Sequence, residues 1–442
     1  MIPILRLNDP GQRQRVEQLL ADLCVSARDA ILETGRRAEQ VKTVRQIMAD
    51  VAGRGDAALV DSARKFDDPD FSADRLRITP AEMAAAAARL PAEQLQALRR
   101  SISQVRQYQS HILPPQPAPL RRGGSEFGLR FTPLDSVGLL VPGGKAAYPS
   151  SVIMLAVPAQ VAGVKRIAVC SPSSKFGQSD IVLAAYHELG LTDVFRAGGA
   201  AAVAALALGT QTVMAVDKLL GPGNIYVQLA KQIVAGCVGI DGFLGPSEIL
   251  TLADDSARAD FVAADLLAQA EHDPGSCFLL TDSEKLAGEV LAQIQSQYAA
   301  LKRQAAIAKA LVEQSAIIVG ASMDELIPLA NRFAAEHVSL QTRSNDTVLA
   351  RLTSAGAVFI GPWSPVAAGD YIAGPSHCLP TNTTARFASG VSVYDFLKRS
   401  SIERYDAAGL AADAPAIITL AQAEHLDAHA ASITIRKPNS AK

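Results

Sequence analysis

From about residue 27 to residue 120, apolar residues recur at helical spacing along the chain. VKTVRQIMADVAGRGDAALVDSARKFD carries that stripe and breaks at Gly53–Gly55. ITPAEMAAAAARL opens on Thr79–Pro80, a capping residue followed by proline at the first helical position. A further helix, PAEQLQALRRSISQVRQYQSHIL, is predicted up to Pro114–Pro115, where PPQPAP punctuates the chain. Ahead of this region, residues 1–26 read as a short helical arm. Glu17, Leu19, Leu20 and Leu23 mix charge with an apolar stripe too small to fold unless it docks on something.

The texture changes from about 134 to 245. Short apolar runs (VGLLV, RIAVC, DVFRA, KLL) alternate with helical stretches (SSVIMLAVPAQVAGV, DIVLAAYHELG, AAVAALALGT, NIYVQLAKQIVAG). Such alternation predicts an α/β fold, a parallel sheet with helices on its faces and a ligand crevice at the carboxyl ends of its strands. A second alternating region spans about 246 to 390. There EILTLAD, SCFLLTD, SAIIVG, VSLQT and AGAVFIG read as strands, with helices around ARADFVAADLLAQAEH and DELIPLANRFAAEH. The last fifty residues, from Ser392, read as two or three helices and a final strand, SITIR. No internal repeat of short period is visible, and the sequence alone does not show whether the two α/β regions are duplicates.

Composition narrows the class. With 49% apolar and 19% charged residues, a chain of 442 residues can bury a large core in two or three domains. A net charge of −2 argues against nucleic acid and against a polybasic membrane-surface protein. The cysteines, at 24, 170, 237, 277 and 378, form no C-x-x-C pair, which fits a reducing compartment. MIPILRLNDPGQRQ does not read as a signal peptide, and the most apolar stretches are too short or too interrupted to span a bilayer. A soluble, cytoplasmic protein is expected.

Several residues could carry chemistry. Gln269 and His272, three apart near a helix end, can converge on one point as half of a metal site, although taken alone an ordinary capped helix end is the favoured explanation. Glu336–His337 is an acid beside an imidazole at a helix-to-strand junction, suited to proton transfer or simply solvated. Asp370 and His377 fall in the Gly/Pro-rich segment GPWSPVAAGDYIAGPSHCLPT, which reads as a binding loop. Glu424, His425 and His429 lie in the C-terminal helix AEHLDAHAAS, where a solvated face is the plain alternative. VPGGKAAYPSS and GPGN (Gly221–Asn224) each follow a strand and open a helix, a geometry that suits an anion. Neither is a dinucleotide fingerprint or a Walker loop.

Taken together, VPGGKAAYPSSVIMLAVPAQVAGV, GPGNIYVQLAK, GPSEILTLAD, DLLAQAEHDPGS, EHVSL, AGAVFIG, GDYIAGPSHCLPT and ASGVSVYDFLKR resemble the histidinol dehydrogenase family in order and spacing. The resemblance runs from KFD near residue 67 to the C-terminal helix. It implies two incomplete Rossmann-like, aldehyde-dehydrogenase-like domains with small helical N- and C-terminal extensions. The expected borders are an N-terminal arm (1–26), a discontinuous main α/β domain with the metal and catalytic residues (27–139 and 247–391), a cofactor-side domain (140–246) and a C-terminal dimer-contact domain (392–442).

The resemblance also implies oxidation of L-histidinol through L-histidinaldehyde to L-histidine with two NAD, in a homodimer. The implied Zn²⁺ ligands are Gln269, His272, Asp370 and His429, the last reaching across from the other subunit. Glu336 and His337 would be the acid/base pair. Ser247, His377 and Glu424 would line the substrate pocket together with the metal ligands and His337, Glu424 also crossing from the other chain. The cofactor positions would be Leu140, Ala201 and Asn224. Leu140 stands where the family usually has Tyr before V-P-G-G, and Ala201 where it usually has Gln, so the departures fall on the dinucleotide side. A rival reading keeps the family and exchanges histidinol for another small polar alcohol. A zinc hydrolase and a non-catalytic scaffold are further alternatives.

Overall fold

Strands covered on both faces must be apolar almost throughout. The apolar runs of the sequence are such strands in the computed structural model, which describes residues 1–24, 38–272 and 274–436. In chain order, β1 (Ile4–Arg6) comes first, followed by the antiparallel pair β2 (Leu120–Arg122) and β3 (Ser125–Pro133). Next come β4 (Ser136–Leu140), β5 (Arg166–Ser171), β6 (Asp193–Arg196), β7 (Lys218–Leu220) and β8 (Gly239–Ile240). Then follow β9 (Ser247–Ala253), β10 (Gly275–Thr281), β11 (Ala316–Val319), β12 (His337–Gln341), β13 (Ala357–Ile360) and β14 (Leu397–Arg404).

The chain divides into two compact units, Met1–Ile112 with Leu134–Phe396, and Leu113–Pro133 with Leu397–Lys442. The first unit holds two parallel sheets, ordered β6-β5-β4-β7-β8 and β1-β11-β10-β9-β12-β13. With β1 set aside, both sheets order their strands third, second, first, fourth, fifth. This is the Rossmann-like half-winding, which switches direction at β4 and at β9. The shared order is a likeness in topology between the two regions that the sequence did not display. Each sheet is flanked by an apolar core, one around Val203, Leu206 and Phe195 and others around Ile249, Leu279 and Leu250.

The opening segment is more than a helical arm. Ile4–Arg6 adds an edge strand parallel to β11, in register Ile4↔Ile317, and is too short to stand out in the sequence. The helix Pro10–Leu23 follows, capped by Asp9, and buries Val16, Leu19 and Leu20 in the core that contains Leu250 and Phe278. Part of the expected helical stretch, residues 25–37, lies outside the described residues. The predicted start at Thr79 forms as a full capping box with Glu82.

The second unit also departs from the sequence reading. LKRSSIER, exposed along most of its length, is a strand antiparallel to β3. It has no buried face to reveal it as alternation. SITIR, whose β-branched residues read as a strand, instead ends a helix, Asp427–Thr434. The Thr434 hydroxyl donates to the Ala430 carbonyl, a bond that lets threonine fit a helix. Among the described residues, no helix is long and apolar enough to cross a membrane.

Candidate active site

Glu336 and His337 sit where the helix Met323–Phe333 gives way to β12. Ala334 takes a left-handed conformation (φ 43°) and ends the helix, so the chain enters the sheet at His337. His337 opens β12, an inner strand, and lies between Ile249 of β9 and Ala357 of β13. Gly356 makes this approach possible, since a Cβ there would lie 2.5 Å from the Glu336 carbonyl oxygen.

Both side chains are buried and anchored by β9. The Ser247 hydroxyl donates to Glu336 Oε2 at 2.6 Å, and the Glu248 N–H donates to the same oxygen at 2.8 Å. His337 Nδ1 is 3.1 Å from the Glu248 carbonyl oxygen, which can only accept, so the proton is on Nδ1. His337 Nε2 is buried without a hydrogen-bond partner, 3.9 Å from Asp370 Oδ1. Burial lowers the His337 pKa to about 4, against the opposing pull of Asp370. Burial also raises the Glu336 pKa well above the usual carboxylate range, and the bond from Ser247 only partly offsets it. At neutral pH the pair is therefore a neutral imidazole with a free lone pair beside a carboxyl with raised proton affinity.

Asp370 is not on an open loop, as the sequence suggested, but on a short helix, Val366–Tyr371. Gly369 lets that helix lie against β13, since a Cβ there would meet the Phe359 ring at 2.6 Å. His377 Nδ1 donates to the Asp370 main-chain oxygen at 2.9 Å, which leaves His377 Nε2 to accept from Ser151, 3.2 Å away. His337, Asp370 and His377 line a cleft of about 670 Å³ with Tyr108, Phe359 and Trp363.

Gln269 falls in the last turn of the helix Ala259–Ala270, and His272 lies just beyond it. The His272 N–H donates to the Gln269 carbonyl at 3.1 Å. Gly275 lets the chain fold back there, since a Cβ would crowd the carbonyl oxygens of Gln269 and His272. Burial lowers the His272 pKa, while the charge of Asp370 raises it, so His272 and Asp370 feel each other. The Gln269 Nε2 is buried with no partner. An unpaired buried amide costs about 1–3 kcal/mol, which is tolerable where a further group meets it. An amide, an imidazole and a carboxylate are a suitable donor set for Zn²⁺. Among the described residues of this one chain, no group of three or more His, Cys, Asp or Glu is placed to hold a metal.

The turns on the other sheet offer backbone instead of side chains. VPGGKAAYPSS follows β4 and leads into the helix Pro149–Ala162, and GPGN follows β7 and leads into the helix Ile225–Val234. Because β4 and β7 are neighbours, both turns lie at adjacent carboxyl ends. Asn224 is exposed and caps its helix, with Oδ1 accepting from Tyr226 N–H at 3.0 Å. Gly221 has φ +126°, and a Cβ there would lie 2.3 Å from the Leu140 oxygen. Paired glycine turns at helix starts fit a dinucleotide pyrophosphate. Leu140 and Ala201 themselves are buried in the core of this sheet.

Glu424 and His429 belong to the second unit. Their segment is not one helix, because it breaks at His425 (φ 59°). Glu424 caps the helix Ala407–Ala423, and His429 lies in the helix Asp427–Thr434; both side chains are exposed. The sequence reading passed over Ser151, Glu248 and Phe359. Glu248 had a signal, an acid directly before the mainly apolar run ILTLA, and Ser151 had none beyond its place in a glycine-rich helix start.

A family profile described as histidinol dehydrogenase matches residues 33–437. The chain is 47% identical, over 393 residues covering 89% of it and 91% of the relative, to the histidinol dehydrogenase of Bradyrhizobium diazoefficiens. It is 46% identical over 407 residues (92% and 95%) to that of Geobacillus kaustophilus. The solved structure of histidinol dehydrogenase from Elizabethkingia anophelis superposes with a TM-score of 0.89 at 33% identity, over 98% of both chains.

Proposed function

The chain belongs to the histidinol dehydrogenase family, and from that premise we propose that it oxidises L-histidinol through L-histidinaldehyde to L-histidine with two NAD. In this reading Gln269, His272 and Asp370, with the partner subunit's His429, hold one Zn²⁺ per subunit, which would orient the substrate through its imidazole and amine nitrogens. NAD, lying against the glycine turns and Asn224 with Leu140 and Ala201 beneath them, would supply the redox chemistry that zinc lacks.

The work of the chain's own residues follows from their hydrogen bonds. His337 is held by the Glu248 carbonyl in the tautomer that leaves Nε2 free to take the substrate's hydroxyl proton in the first oxidation. Glu336 Oε2 accepts from the Ser247 hydroxyl and the Glu248 N–H, bonds that favour its carboxylate form, in which it would take a proton from the water that adds to the aldehyde. Ser247 and His377 border the substrate, and Ser151 fixes the ring of His377. Glu424 of the partner subunit is proposed to complete the pocket in a homodimer.

The buried, unpartnered His337 Nε2 beside Asp370 supports this reading most strongly. The test is purified protein with Zn²⁺, histidinol and NAD, followed at the NADH absorbance. Two NADH per histidinol are expected. Reduction of NAD only with other alcohols would transfer the site to a different substrate.

A further inference from the structure

One pair of oppositely charged side chains lies outside the proposed chemistry and is fully buried. Lys231, in the helix Ile225–Val234, and Asp241, directly after β8, form an ion pair with both side chains at 0% exposure. A buried ion pair contributes little net stability over an apolar pair of similar size, because the desolvation cost consumes most of the attraction. Stability alone therefore does not account for it. Its remaining hydrogen bonds converge on the backbone of one residue, Gly221, one on each of the two peptide groups that flank its Cα. Asp241 Oδ2 accepts from the Gly221 N–H at 2.6 Å, and Lys231 Nζ donates to the Gly221 carbonyl at 3.1 Å.

Gly221 opens the turn that ends at Asn224. Its backbone is left-handed and packs against the Leu140 oxygen with no room for a Cβ. The next links come from Gln228, whose amide donates to the Gly223 carbonyl at 3.3 Å and accepts from Leu244 N–H at 2.9 Å. From Leu244 the chain runs on to Gly245, whose N–H donates to Thr381 Oγ1 at 2.8 Å. Asn382, beside it, donates its N–H to Glu248 Oε1 at 2.9 Å. Glu248 is the residue whose backbone holds both Glu336 and His337. The segment 241–248 thus runs from the Gly221 backbone to the acid/base pair, tied down by hydrogen bonds along its length.

We propose that Lys231 and Asp241 are positioning residues for the cofactor. By gripping both backbone polar atoms of Gly221, its N–H and its C=O, they fix where the Gly221–Asn224 turn presents its backbone to the dinucleotide. The proposal rests on the placement of NAD at this turn.

Two double variants test it. K231M/D241N removes both charges and the donor to the Gly221 carbonyl, whereas K231Q/D241N is equally neutral and keeps a donor. NAD affinity is read by calorimetry without histidinol, alongside amide exchange over residues 219–228. K231M/D241N should bind NAD about tenfold more weakly, with faster exchange in the turn and unchanged zinc content and histidinol binding. K231Q/D241N should recover most of that affinity. A purely structural pair would lower the melting temperature without this split.

Normal NAD affinity in folded K231M/D241N overturns the proposal, as does equal weakening in both variants. If K231M/D241N does not fold, K231Q/D241N is judged against the unaltered enzyme, where near-normal affinity and exchange support the clamp and tenfold weakening overturns it. If neither folds, the pair serves folding and the proposal fails. Asn224→Ala separates the two ideas. If it too leaves NAD binding unchanged, the placement of NAD has failed; if it alone weakens NAD, only the clamp has failed.

Discussion

In the five-stranded sheet the glycine turns lie at the carboxyl ends of β4 and β7, whereas in the six-stranded sheet the titratable side chains gather at the amino ends of β9, β10 and β12. The same strand order is thus used from opposite ends. Helices flanking a parallel sheet start near strand carboxyl ends and finish near strand amino ends. The first rim therefore collects helix N-termini, at Pro149 and Ile225, with N–H groups suited to a phosphate. The second collects helix C-termini, at Ala270 and Phe333, whose partial negative charge suits a cation or a ring N–H. On the proposed function, this backbone polarity would divide the molecule into a rim suited to an anionic cofactor and a rim suited to metal and imidazole chemistry.

The sharpest way to break this division is to remove the free imidazole. His337→Ala should lower kcat by about 10³-fold, the range expected for loss of a general base, while zinc content and NAD affinity stay as they were. Loss of zinc by metal analysis would mean that His337 belongs to the metal set. Glu336→Gln keeps the acceptor for Ser247 and Glu248 but cannot take a proton. It should cut kcat by about 10²-fold and act mainly on the second oxidation. Rapid-mixing traces should then show one fast NADH per histidinol followed by a slow second. Two equally slow phases would remove Glu336 from the water-addition step.

The sequence displayed these two rims unequally. Apart from the short edge strands β1 and β8, the strands of both sheets were legible because burial on both faces forces apolar runs such as those in SCFLLTD and RIAVC. Glycine turns announced the anion rim for an equally physical reason, since Gly221 has no alternative at φ +126°. The other rim assembles from residues distant in the chain, and pairing such as Ser247 with Glu336 leaves no local mark. Glycine and proline around Asp370 read as loop although a short helix forms there, and polar LKRSSIER hid β14. Glu248 was passed over because its role runs through its backbone, and backbone roles do not depend on side-chain type.

Glu248 tests the cost of the amino rim in a smaller way. Burial raises its carboxyl to about pKa 8, against a bond from the Asn382 N–H. The native state therefore keeps a proton that the unfolded chain has released above about pH 4.5. Its contribution to stability is complete in acid and is lost as pH rises toward 8 and through it. Glu248→Gln retains the acceptor for Asn382 without the ionisation. It should be more stable than the unaltered protein at pH 8 by about 2 kcal/mol, with a difference that vanishes near pH 4. Denaturant melts across that range check it, and a constant difference would show that Glu248 is not held protonated.

The mildest intervention falls on the anion rim. Asn224 closes the GPGN turn, and its Oδ1 accepts the Tyr226 and Val227 N–H groups at the start of the helix Ile225–Val234. Replacing a cap by alanine costs about 1 kcal/mol, roughly a fivefold change in an equilibrium. Asn224→Ala should therefore weaken NAD binding about fivefold and leave kcat at saturating NAD close to unchanged. Zinc content and histidinol affinity should not respond, because no hydrogen bond of Asn224 reaches the amino rim. The informative failure is the reverse pattern, a fall in kcat at constant NAD affinity. That would mean the turn sets the approach of the nicotinamide to His337 instead of the grip on the phosphates, and the two rims would then act as one site coupled through the segment 241–248.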